Sequence, residues 1–283
     1  MNYNNLSKTF RYVNSEGGEI IFDYENGYLI NKPVGIDTLQ VSHAQSQGIN
    51  QIGSSIQASN IQPRAINITG RIMQSGTGLK DKLLSVIRPD LWGKLYADEY
   101  CIDVKPTSTP AIGPEEDFSK FTFSILAPYP YFQSVTETAV VLSGIDPKFK
   151  LPVNLTDEYQ FGARMALQFI NVFNKGQVSV PFTLTIEAAG SVTNPKLINA
   201  QTGKFLKINK TMASGERIVV QITHDKTFVT SSVDGDIRGA LTLDSDLLAL
   251  DVGDNVLKPT ADSGESYVSM SILFAHELVG ITV

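Results

Sequence analysis

The stretch Arg64-Ala65-Ile66-Asn67-Ile68-Thr69-Gly70-Arg71-Ile72 alternates at period two and turns Ile66, Ile68 and Ile72 to one face. Such alternation predicts a strand buried on one side. The same period runs from Phe118 to Ile125. Phe118, Lys120, Thr122 and Ser124 lie on one side there, with Phe121, Phe123 and Ile125 on the other. Upstream, Glu19 to Tyr24 and Gly27 to Ile30 flank Asn26-Gly27, which predicts a hairpin because both turn residues tolerate positive φ. Working outward from these runs, the chain reads as mainly β.

One segment breaks the strand period. Between Gly78 and Pro89, Leu79, Leu83, Leu84 and Ile87 fall at helical spacing, and Pro89 stops the run. Two long loops are expected. Ser42 to Pro63 is rich in Gln, Ser, Asn and Gly; Lys105 to Asp117 carries three prolines and the acidic run Glu115-Glu116-Asp117. Ala127-Pro128-Tyr129-Pro130-Tyr131-Phe132 marks a domain boundary, since two prolines end a strand run. Two domains follow: residues 1–132, a β-sandwich-like domain with one α-helix, and residues 133–283. The second shows strands at short, regular spacing, including Ala166 to Val172, Phe182 to Glu187, Arg217 to Ile222 and Ser266 to Phe274, which reads as a β-sandwich.

Composition narrows the function. The 283 residues are 42% hydrophobic and 18% charged, against a usual charged share of about 25%. Uncharged polar groups fill the gap, and burying an amide or hydroxyl costs far less than burying an ion. Such a surface suits extensive contacts between subunits. The net charge of −6 argues against a protein that grips nucleic acid. A single cysteine, Cys101, rules out an intramolecular disulfide and a multi-Cys zinc site. The N-terminal segment lacks the apolar run of a signal peptide, and no stretch approaches the length of a membrane span, so folding in a cytosol is expected.

No catalytic constellation emerges. There is no Gly-x-Ser-x-Gly elbow, and His43, His224 and His276 are far apart in the chain. Cys101, in an alternating strand, reads as a small buried hydrophobe. Ser75-Gly76-Thr77-Gly78 reads as a glycine-rich helix start, not a phosphate loop. Asp234-Gly235-Asp236 and Asp244-Ser245-Asp246 read as turns in preference to calcium ligands. Glu115-Glu116 reads as a solvated charge run, and Trp92 as packing between the helix end and the sheet. The expectation is a protein without catalytic, cofactor or metal residues.

The order of these pieces resembles the distal tail protein (Dit) family of tailed bacteriophages. The first half is similar in Arg64-x-Ile66-x-Ile68-x-Gly70-x-Ile72, the helix with Leu83 and Leu84, the Gly93-Lys94-Leu95-Tyr96 hairpin and the strand ending in Pro128-Tyr129-Pro130-Tyr131. The second half resembles that family's galectin-like domain in Asn171-x-x-Asn174-x-Gly176, Asn194-Pro195-Lys196-x-x-Asn199-x-x-Thr202-Gly203, Gly215-Glu216 and Leu250-x-x-Gly253-x-Asn255. The resemblance implies a structural virion protein at the tail tip, assembled in the host cytoplasm. It implies a homo-hexameric ring between the tail tube protein and the tail hub, with receptor-binding or baseplate proteins around it. DNA would pass through the ring without specific binding, and no membrane insertion is implied. Six copies at −6 each give −36, which disfavours adhesion of DNA. The galectin-like domain would be a docking platform, and no sugar-binding residues are carried over.

A different class remains as the alternative, a carbohydrate-binding, lectin-like β-sandwich. It would need several aromatics or a polar constellation on one sheet face, and Tyr159, Phe161, Phe169, Phe173 and Phe182 fall where strands need core. A fused tail hydrolase would need paired acid and base groups on rigid strands. For the ring reading, the Ser42 to Pro63 loop is the expected subunit interface, through Ile49, Gln51, Ile52, Ile56, Gln57, Ile61 and Gln62. Its isoleucines are too many for a freely solvated loop, unless they pack on their own domain.

Overall fold

The computed structural model describes residues 8–73, 77–114, 118–142, 145–146, 163–164, 169–224 and 226–283. Ser75-Gly76, Glu115-Glu116-Asp117, Tyr159 and Phe161 lie outside them. The chain divides into two compact units, Met1–Thr136 together with Glu277–Val283, and Glu137–His276.

The first unit contains β1 (Phe10–Asn14), β2 (Glu19–Phe22), β3 (Tyr28–Ile30), β4 (Val41–Ser46), β5 (Ser55–Ile61), β6 (Arg64–Ile72), α1 (Thr77–Val86), β7 (Gly93–Ala97), β8 (Tyr100–Pro106), β9 (Ala111–Ile112), β10 (Lys120–Ala127) and β11 (Phe132–Ser134). An antiparallel sheet runs in the order β2-β1-β7-β8-β10-β6-β3, with β9 and β11 off that path. β6 buries every second residue, as its alternation predicts, and pairs with β10 in the register Ile68↔Phe123 and Ile66↔Ile125. Phe22, Phe121 and Phe123 stack on one another in the core. Gly70 admits this packing, because a Cβ there would lie 2.3 Å from the Leu29 carbonyl and 2.6 Å from the Phe121 ring.

Three expectations for this unit change. Asn26-Gly27 does form a turn, with Gly27 at φ 78° and the Asp23 carboxylate accepting from the Asn26 backbone N–H. Yet β2 pairs with β1 and β3 with β6, so the turn joins opposite ends of the sheet and closes no hairpin. On α1, Leu83 and Val86 are buried, as is Ile87 just after it, whereas Leu84 is exposed. The segment Ser42 to Pro63 is chiefly a hairpin, β4 against β5, and not a loop.

The second unit contains β12 (Thr138–Val141), β13 (Ile145–Asp146), β14 (Ala163–Arg164), β15 (Ile170–Asn174), β16 (Thr183–Ala188), β17 (Val192–Asn199), β18 (Phe205–Lys207), β19 (Thr211–Met212), β20 (Arg217–Ile222), β21 (Thr227–Ser231), β22 (Gly235–Asp236), β23 (Gly253–Ser263) and β24 (Val268–Phe274). One sheet runs β12-β24-β16-β20-β21-β22 and the other β15-β23-β17-β18, with β19 on β17. Leu184, Ile186, Val220 and Ile272 of the first meet Val172, Leu197, Leu206 and Leu257 of the second in one core, which is a sandwich. Phe182 belongs to this core, but Phe169 and Phe173, expected there too, are 61% and 59% exposed.

The chain then returns to the first unit. β25 (Glu277–Leu278) pairs with β11 in the register Phe132↔Leu278, and Ile281 is buried in the first unit's core. These last residues thus group with the first unit, whereas a boundary after residue 132 places them in the second domain.

Candidate functional site

The β4–β5 hairpin collects every residue expected at a subunit interface. Between Val41 and Pro63 the chain has no Asp, Glu, Lys or Arg. A strand needs apolar alternation only if one of its faces is buried, and here every residue of both strands is exposed. Val41 faces Ile61 and Ser42 faces Asn60; the register shifts at Ala44/Gln45, skipping Gln57, and resumes with Gln45 opposite Ile56. Asn50 at φ 64° and Gly53 at φ 82° shape the tip.

Ile49 and Ile52 stand at that tip at 98% and 102% exposure; Ile56 on β5 is at 59% and Ile61 at its end is at 48%. The glutamines, expected to face a partner, brace the hairpin itself. Gln51 accepts from the Gly48 N–H at 2.9 Å and donates to Ser55 Oγ at 3.1 Å. Gln57 donates to Ser46 Oγ at 2.8 Å, and Gln62 donates to the Asn60 carbonyl at 3.3 Å. Internal bracing matters because a lone two-stranded hairpin is marginal in water.

Its root is built in the opposite way. Arg64, which follows Pro63, is buried, and its guanidinium donates to the carbonyls of Pro130 (2.7 Å), Gly35 (2.7 Å), Thr38 (3.0 Å) and Val279. Burial pulls its pKa down, and the charge of Asp37 opposes that. The alternation in β6 places Arg64 inward, but no local signal marks it as the anchor of three separate segments. In the C-terminal segment, Glu277 is buried and accepts from Tyr129 Oη at 2.5 Å and Gln133 Nε2 at 3.0 Å. Burial and the Glu277 carboxylate push the Tyr129 hydroxyl far above its usual range. Hairpin root and C-terminal segment therefore share one polar anchor.

The remaining candidates are dispersed. Cys101 is buried, and burial raises its thiol pKa. Trp92 is half exposed, with the Lys105 ammonium 5.7 Å from its ring. His43 meets Ser59 Oγ within the hairpin, at 2.8 Å, whereas His276 is buried in the second unit. Asp234 pairs with Lys210, and Asp236 accepts from the Arg238 N–H. The described residues contain no group of three or more His, Cys, Asp or Glu arranged for a metal ion.

The motif residues of the second unit lock turns. Asn174 donates to the Val178 and Leu250 carbonyls and accepts from the Gly176 N–H. Asn199 accepts from the N–H groups of Gln201 and Thr202, and Asn255 exchanges hydrogen bonds with the Asp251 backbone. Glu216 is buried. Burial alone would raise its pKa, but Ser231, the Ala213 N–H and Lys210 together hold it below the usual range.

Comparison with known proteins agrees with this architecture. Residues 175–271 match the family described as Siphovirus-type tail component, C-terminal domain. The crystal structure of phage SPP1 Dit, described as a paradigm of the hub adsorption apparatus in phages infecting Gram-positive bacteria, superposes with a TM-score of 0.69 at 15% identity. The alignment covers 95% of this chain and 98% of that one. The phage P2 baseplate in its activated conformation with Ca aligns at 9% identity and a TM-score of 0.44, covering 95% and 98%. Curated protein sequences give no match. The family match lies in the second unit, at residues 175–271, while the fold shared with the SPP1 Dit protein extends along the chain.

Proposed function

We propose that the chain forms a six-membered ring at the distal end of a phage tail, joins the tail tube to the hub or baseplate, and leaves a passage for DNA. The observation that carries this reading is the β4–β5 hairpin, which is charge-free, aliphatic and wholly exposed. The cores of protein interfaces are depleted of charge, and an exposed apolar element of this kind marks an association site. Burying one of its isoleucines at a contact contributes about 1.5–3 kcal/mol. Ile49, Gln51, Ile52, Ile56, Gln57, Ile61 and Gln62 are the proposed contact residues between neighbouring subunits or with the next ring. The resemblance to tail proteins supplies the partners: tail tube, hub, and receptor-binding or baseplate proteins. The role is structural and calls on no catalytic group.

Light scattering of the full chain, alone and mixed with tail tube protein, tests the reading. The expected species carries six times the 30.9 kDa chain mass. A chain that stays monomeric in both mixtures, and is absent from tail tips seen by electron microscopy, would overturn it.

A further inference from the structure

The outer face of the sheet β15-β23-β17-β18 carries a row of side chains that nothing above uses. Ile198 lies opposite Phe205 on one side and Lys258 on the other, and the Lys258 ammonium is 5.4 Å from the Phe169 ring. The row thus runs Phe205, Ile198 and Lys258 across β18, β17 and β23 to Phe169, the residue before β15, roughly 14 Å at the usual inter-strand spacing. Phe173 stands two residues along β15 from Asn171 and opposite Asp254. Polar groups border the rings. Asn171 donates to Asp254 at 2.6 Å, and Lys207 and Asn194 both donate to Asp262 at 2.8 Å. Lys196 sits 3.8 Å from the Phe205 ring centre.

We propose that this face binds an extended oligosaccharide. A pyranose ring has an apolar C–H face that lies on a phenyl ring and a rim of hydroxyls that both donate and accept. The row offers both complements: a phenyl ring at each end with a lysine ammonium over one of its faces, and carboxylates and an amide around them. A protein partner is the poorer fit, because interface cores are depleted of Lys and Asp, whereas Lys258 stands within the row and Asp254 beside it. Phe169 and Phe173 leave most of their surface in water, which the sandwich core does not require. The inference stands apart from the ring reading, since it involves only the second unit's sheet.

The test is binding of the full chain to immobilised glucose, galactose, mannose and N-acetylglucosamine oligosaccharides of increasing length. At least one series should bind, more tightly once the oligosaccharide is long enough to touch both rings. Phe169→Ala and Phe205→Ala should each weaken it about tenfold. Melting temperature reports whether each variant still folds, and Phe169→Ala, at a largely exposed ring, is the cleaner of the two. A blank array, or binding indifferent to both variants, overturns the proposal. So does a blank array combined with failure of the folded variants to enter tails, which would assign the face to a protein partner. Ring mass by light scattering should not change in either variant, so failure here is distinguishable from failure of the ring reading.

Discussion

The β4–β5 hairpin and the outer face of β15-β23-β17-β18 both present apolar side chains to water, but with different company. The hairpin sets isoleucines among neutral amides and hydroxyls, without Asp, Glu, Lys or Arg. The sheet face sets phenyl rings among lysines and carboxylates. Complete desolvation costs the hairpin little, because no ion must be stripped of water. The sheet face would have to strip water from its lysines and carboxylates in a dry contact, so it suits a ligand that brings hydroxyls of its own. The supports differ too. The sheet face is held by the core behind it, whereas the hairpin has no buried residue in either strand and depends on its root.

The largest expected effect is at that root. Arg64→Met leaves four carbonyls without their donor and should lower the stability of the full chain by about 3–5 kcal/mol in urea denaturation. A loss below about 1 kcal/mol would mean that the hairpin is held by something else. Next comes the support of the aromatic face. Asn255→Ala removes the amide that ties the Asp251 loop to β23, and should cost about 2 kcal/mol. Under the proposed division of roles, that variant weakens glycan binding and leaves ring formation unaffected.

Acid should act on the second unit in a smaller, graded way. His276 is buried, with Nδ1 3.3 Å from Asn174 Oδ1 and Nε2 3.1 Å from Thr138 Oγ1. Burial, then the charge of Lys175, depresses its pKa below the usual 6.5. The unfolded chain therefore takes up the proton first, and stability falls as pH drops from about 6.5 toward the depressed folded value, at no more than about 1.4 kcal/mol per pH unit. Above that window this histidine contributes no pH dependence. Thermal unfolding of wild type and His276→Gln between pH 7 and 5 should show the extra slope only in wild type.

The smallest effect on folding, and the sharpest contrast, is expected at the hairpin. Ile52→Ser with Ile56→Ser should change monomer stability by less than about 0.5 kcal/mol while tail-tip assembly fails. Lost monomer stability with normal assembly would erase the contrast between the two surfaces.

Alternation in β6 and β10 and the helix of Leu83 and Ile87 were legible because each has a buried face that imposes a period. β4 and β5 were not, since strands without a buried face carry no such period and read as a polar loop. The pairing of β2 with β1, and not with β3, depends on distant register that the Asn26-Gly27 turn does not encode. The exposed rings show a subtler limit. Period two groups Phe169, Asn171 and Phe173 against Val172 and Asn174, but it does not say which set faces inward. Asn174 is the buried one because the backbone of its own turn and of Leu250 satisfies its amide. Composition had favoured the phenylalanines. Of the hairpin site, the residue identities were readable, but the internal use of Gln51 and Gln57 was not.

The C-terminal return has a mechanical corollary. The second unit is stitched into the first by two peptide crossings, after Thr136 and after His276. On each side of this seam the outgoing and returning segments run as paired strands, β11 with β25 and β12 with β24. Two covalent lines therefore connect the second unit to the first, and one proteolytic nick in either line leaves the units joined. The returning line does not end loose: Glu277 is hydrogen-bonded to Tyr129 and Gln133, and Ile281 is sunk in the core. For that tether to slip, the β11–β25 pairing must break and a buried side chain must leave the core.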